Sequence, residues 1–201
     1  MSTSITDVID HLAGIDPGSH LDRVRSQRPE ARSNAQASFE ALFAPRRPGG
    51  FSAAERLAVA AFVTGLHQDA ATAAFYAARL AEQAPELAAP IANEIEAGRT
   101  TGPYGAYPAA GPLAAESVAG PVYRAAGPDA LGARLAAALE HAHLLVFRPR
   151  ESSPEALQAL ADADWSATDV VTLSQLVAFL SFQVRAVVGL RLLAAAPRKG
   201  A

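Results

Sequence analysis

The stretch SATDVVTLSQLVAFLSFQVRAVVGLRLLAAA, residues 166–196, decides the fold. It is an almost unbroken apolar run, and as one helix it would extend about 45 Å at 1.5 Å per residue. Projected at 100° per residue, Val170, Leu173, Val177, Leu180, Val184 and Val188 form one apolar arc, while Phe179, Phe182 and Leu193 lie on the far side. Both faces are therefore expected to be buried. Between the arcs runs a stripe of Ser174, Ala178, Ser181 and Arg185, small and polar groups that let another element approach closely. The pattern predicts a central helix packed on two sides, across a subunit boundary. Its start is marked by Ser166 and Asp169, which have the spacing of a capping box, and its stop by Pro197. A guanidinium in the middle of such a helix needs a partner, so Arg185 is expected to form a buried ion pair with Glu55 or another carboxylate. A bilayer span is the competing reading. Arg185, Gln183 and Arg191 in one such window weigh against it, because each central charge costs about 2.5 to 3.5 kcal/mol.

Working outward, the 201 residues suffice for a single domain, read as spanning 1–201. A net charge of -3 offers no basic field for nucleic acid. Alanine dominates, aromatics make up 6%, and the 3.6-residue period prevails over the 2-residue one, which predicts an all-α protein. Met1 is followed by STSITDVIDHL, with neither a basic start nor a continuous apolar core, so no signal peptide is read and the expected location is cytoplasmic. There is no cysteine, which excludes disulfides, thiolate metal sites and thiol nucleophiles together.

The chain divides into a helical leader 1–50, core helices 51–98, a Gly/Pro-rich loop 99–128 and C-terminal helices 129–196. In the leader, Thr6–Leu12 reads as a short helix closed by Gly14, and His20–Phe43 as helix interrupted near Pro29. Ser52 and Glu55 form a second capping box and open a helix through Leu66; helices over 69–84 and 86–97 follow, separated at Pro85. Tyr104, Tyr107 and Tyr123 favour an ordered loop over a disordered linker. Helices over 129–147 and 154–163 lead to Trp165, placed as a hydrophobic staple against Val170.

Two segments, FSAAERLAVAAFVTGLHQDAATAAFYAARL at 51–80 and LQALADADWSATDVVTLSQLVAFLSFQVRAVVGLRLL at 157–193, resemble the carboxymuconolactone decarboxylase-like, alkylhydroperoxidase D-like superfamily, in particular the CMD domain proteins of its peroxidase-related branch. The leader DVIDHLAGIDPGSHLDRVRSQRPEARSNAQASFEALF is similar to that of the same group. The resemblance implies an alkylhydroperoxidase D-like helical bundle with a long central C-terminal helix. In the thiol members a helix beginning S-x-x-E-R leads to T-G-C-x-x-C-x-x-x-H, where a lowered thiolate pKa serves peroxide reduction. Here Thr64-Gly65 match, but Leu66 and Asp69 hold the cysteine positions and Ala73 the histidine position. The resemblance thus implies a degenerate redox site and a non-redox, oligomeric protein, partnered by further copies of itself or by a cysteine-containing paralogue.

Three residues remain as candidates for chemistry. Glu55 matches the family's relay glutamate, and is equally the third residue of a capping box. His67 lies beside the degenerate positions and titrates in a useful range. Arg185 could hold a substrate carboxylate. Together they would suit a cysteine-independent decarboxylase or lactone-processing enzyme, but Glu55 and His67 share a site only if the helix breaks near Gly65. A plain helical interaction module is the third alternative. His141 and His143, two apart on a helix, diverge and cannot chelate one metal, and no phosphate loop, G-x-S-x-G elbow or dinucleotide fingerprint is present; no metal or cofactor is expected.

Overall fold

A computed structural model describes residues 5–196; the Pro197 stop signal and the first four residues of the leader lie outside them. Among the described residues there are nine α-helices and no strand: α1 Val8–Ala13, α2 His20–Ser26, α3 Pro29–Phe43, α4 Ala53–Leu66, α5 Ala70–Gln83, α6 Pro85–Gly98, α7 Pro128–Phe147, α8 Pro154–Asp162 and α9 Ala167–Ala195. The protein is all-α.

The helix at the centre is α4, where every residue from Arg56 to Leu66 is buried. It is held among α5, α6, α7 and α9, which explains why its apolar residues run around the whole circumference. Its start follows the expected capping box: Ser52 Oγ accepts from the Glu55 amide at 3.2 Å, and Glu55 Oε2 accepts from the Ser52 amide at 2.8 Å. Its end is a tight turn through Gln68, in the left-handed region at φ 59°, into the Asp69 cap of α5.

The long α9 departs from expectation. One side, Leu173, Leu176, Leu180, Val184 and Val187, is buried against the bundle, and of the expected second arc Phe179 is buried too, but Phe182 is 52% and Leu193 48% exposed. Val171, Gln175, Ala178, Phe182, Arg185, Gly189 and Leu192 form a continuous exposed stripe. Burial on both sides therefore does not hold within one chain: a helix apolar all round gives no signal of which face the rest of the fold will cover. By length and composition alone, Asp129–Phe147 and Ala167–Ala195 would each be able to cross a membrane.

The α9 cap is also only half a box. Ser166 Oγ accepts from the Asp169 amide at 3.2 Å, but the Asp169 carboxylate accepts from Ser166 Oγ at 2.7 Å and from the Gly50 amide at 3.2 Å, tying the turn before α4 to α9. A side chain there would press on this tie, since a Cβ on Gly50 would stand 2.6 Å from Asp169 Oδ2. Trp165 packs edge-on to Phe51 at 4.9 Å and donates to the Arg134 carbonyl at 3.0 Å. In α7 the expected regular helix is broken in its first turn by Gly132, whose φ of 75° suits a residue without Cβ.

The leader is pinned by ion pairs. Arg25 reaches Asp7 at 3.0 Å and also Asp10, while Arg32 reaches Asp22 at 2.7 Å, Asp7 at 3.0 Å and Asp10. In the loop 99–128, Tyr123 is packed into the bundle. Tyr123 lies between Phe62 and His143, with ring centroids 5.4 and 4.8 Å away. Its hydroxyl donates to Glu94 at 2.5 Å, and the Ala126 and Gly127 amides donate to the same carboxylate at 3.0 and 2.7 Å. Burial and the adjoining carboxylate push the Tyr123 phenol well above its usual range.

Candidate functional site

The junction between α4 and α5, covered by α9, gathers most of the residues singled out in the sequence. Leu66, 2% exposed, closes the last turn of α4 and packs in the core. Asp69 is spent on structure: Oδ2 accepts from the Thr72 amide at 3.1 Å and from its hydroxyl at 2.5 Å, and Oδ1 accepts from Arg191 of α9 at 2.8 Å. Ala73 follows one turn into α5, half-buried.

His67 caps the C-terminus of α4, and its Nε2 lies 3.1 Å from Ser181 Oγ on α9. Burial, with the Arg185 charge nearby, pushes its pKa down to about 4, so the imidazole is neutral at pH 7 and a weak base. Arg185 is exposed and donates to the Ser181 carbonyl of its own helix at 2.9 Å. The expected buried pair between Arg185 and Glu55 is thus absent; Arg185 belongs to the open stripe of α9, where water solvates it.

Glu55 stands at the opposite end of α4. Twelve residues of unbroken helix separate it from His67, about 18 Å along the axis. Gly65 lies inside the helix and does not break it; a Cβ there would meet Ile95 at 2.7 Å, so this glycine serves close packing against α6. Both Glu55 oxygens are engaged, one by the Ser52 amide and the other by Arg134 Nε at 2.8 Å. Glu55, His67 and Arg185 therefore do not surround one pocket. A cavity of about 510 Å³ does open near the N-terminal end of α4, and none of the three lines it.

Among the described residues the buried arginine is Arg56, the neighbour of Glu55 in the S-x-x-E-R run, to which sequence reasoning assigned no role. It is 3% exposed and donates to three backbone carbonyls, Phe51 and Leu42 at 2.8 Å and Pro48 at 2.9 Å. Burial lowers its pKa from the usual arginine value, with the more distant Asp169 and Glu55 opposing the shift. Glu94 was also missed; it carried no motif, because its three donors lie about thirty residues further along the chain.

His141 and His143 diverge, as two residues so spaced must. His141 Nε2 lies 3.3 Å from Ser174 Oγ on α9, and His143 Nε2 lies 2.9 Å from the Gly98 carbonyl at the end of α6. The Ser174 hydroxyl already donates to the Val170 carbonyl, so it accepts from His141. Burial pushes both imidazoles down, leaving them neutral. Among the described residues, no three of His, Asp and Glu are grouped to hold a metal ion.

Compared with known family models, with curated proteins and with solved structures, the chain matches none.

Proposed function

We propose that this chain is a thiol-free member of the alkylhydroperoxidase D-like superfamily, a non-redox helical bundle that acts in self-association rather than in peroxide reduction. The observation that carries the reading is the α4–α5 junction. A packed leucine and a capping aspartate stand where the thiol relatives would hold cysteines, next to a neutral His67 and under the closing helix α9. Nothing there can cycle between thiol and disulfide, and Asp69 is committed to Thr72 and Arg191. The open apolar stripe of α9 supports a partner surface, occupied on this reading by a further copy of the chain or by a cysteine-containing paralogue in the cytoplasm.

The decarboxylase alternative loses its support, because its acid/base pair would have to act across about 18 Å. The test of the main reading is direct. Purified protein mixed with an organic hydroperoxide and a dithiol reductant should consume no more peroxide than a heat-killed control, and light scattering should give a mass above that of one chain. Peroxide turnover above the control, or a stable monomer at tens of micromolar, overturns it.

A further inference from the structure

A second region of the molecule, independent of the α4–α5 junction, carries unspent binding capacity. A guanidinium has five N–H donors. In Arg56 three of them meet the Phe51, Leu42 and Pro48 carbonyls, leaving one on each Nη nitrogen without an acceptor among the described residues. No carboxylate lies within 4.0 Å of it among those residues, although it is 3% exposed. The Phe51 ring, 4.6 Å from the guanidinium carbon, covers one face, but neither it nor the carbonyls carry a counter-charge, and a buried cation without one is costly.

Arg56 forms part of the wall of the cavity of about 510 Å³ between the end of α3, the turn at 45–49 and the first turns of α9. That volume is within the usual range for a small-molecule site, about 300–1,000 Å³. Arg47, exposed, stands at the mouth, and Ser38, Thr172 and Gln175 add neutral hydrogen-bonding groups. Leu42, Pro45 and Phe179 supply an apolar side. Asp169 also lines the space, but its oxygens are held by the Gly50 amide and Ser166 Oγ, with Arg134 at 4.0 Å. Two arginines against one occupied carboxylate leave the cavity with positive charge in excess.

We propose that this cavity is a binding site for a small molecule carrying an oxyanion, carboxylate or phosphate, on a compact apolar body. The head sits between Arg56 and Arg47, where the two free N–H groups and a planar fork suit paired oxygens. The body lies against Leu42, Pro45 and Phe179.

The experiment is an NMR titration of the full-length, ¹⁵N-labelled chain at low ionic strength, with benzoate in one arm and phenyl phosphate in the other. Saturable shifts centred on the amides of Gly49, Gly50, Thr168 and Thr172 are expected, and the tighter arm identifies the head group. Arg47→Ala, at an exposed position, should leave the thermal unfolding curve unchanged and weaken binding about tenfold. Ala41→Trp, at an exposed position of α3 on the cavity wall and away from the α9 stripe, should abolish it by filling the space. Absence of saturable shifts in both arms, or affinities that neither variant changes, overturns the proposal.

Discussion

Removing the Glu94 carboxylate tests how the long loop is held to the bundle. Glu94 is 2% exposed and accepts from Tyr123 at 2.5 Å, Gly127 at 2.7 Å and Ala126 at 3.0 Å. A hydrogen bond to a charged group contributes about 1.5–3 kcal/mol, and contributions within one network are not additive. Glu94→Ala leaves the buried Tyr123 hydroxyl and two partly exposed amides without their acceptor and opens a void, so a loss of about 2–4 kcal/mol is expected, a large part of the 5–15 kcal/mol that typically holds a domain together. Glu94→Gln keeps the volume and one acceptor, and should lose about 1–3 kcal/mol; Tyr123→Phe, which deletes one partner, about 1–2 kcal/mol. The measurement is urea unfolding followed by circular dichroism, paired with trypsin cleavage after Arg124, which lies on the loop and is exposed. Both Glu94 variants should be cleaved faster under native conditions as the loop comes free. The double variant Glu94→Gln/Tyr123→Phe should lose less than the sum of the two. If Glu94→Gln unfolds within about 0.5 kcal/mol of the parent and Arg124 stays protected, the loop is held by something else and the reasoning fails.

Three further outcomes are expected. His67 has its pKa lowered from 6.5 to about 4 in the folded chain, so between those values the unfolded chain binds more protons; stability should fall as pH drops through that window, by on the order of 2 kcal/mol after solvent screening. The buried, down-shifted His141 and His143 act in the same direction, so thermal unfolding from pH 7 to pH 4 should flatten only in part in His67→Gln. Gly50→Ala should destabilise by about 1–3 kcal/mol, because its Cβ would press on Asp169 and strain the tie between the α4 turn and α9; an unchanged urea midpoint would contradict this. Phe182→Glu should leave the stability of the single chain within about 0.5 kcal/mol, since the side chain is exposed, while light scattering loses any assembly that uses the α9 stripe.

Much of the helical order was legible because its signals are local. The Ser52/Glu55 box, the prolines at 29, 85 and 154 and the Gly14 stop each act within one turn, and the helices begin or end beside them. What the sequence left open depends on distant partners. Arg185 and Arg56 both sit in apolar helical runs; one is exposed and the other buried, because only the second has carbonyls from the 42–51 segment brought round it. Asp169 at its capping position looked committed to Ser166, yet half of its bonding goes to Gly50, 119 residues away. The separation of Glu55 from His67 was readable as a conditional: it turned on whether Gly65 breaks the helix, and packing against Ile95 keeps that helix intact.

The links made by α9 also bear on how the chain can mature as it leaves the ribosome. Arg191 joins Asp69 and the Leu12 carbonyl, 122 and 179 positions earlier, and α9 lies against α1, α3, α4 and α7. Growing from its amino end, the polypeptide must emit the greasy α4 cylinder more than a hundred residues before its final wall exists. Until that last helix emerges, the nascent bundle has an unroofed interior, and the interval is one in which a holding chaperone has something to grip.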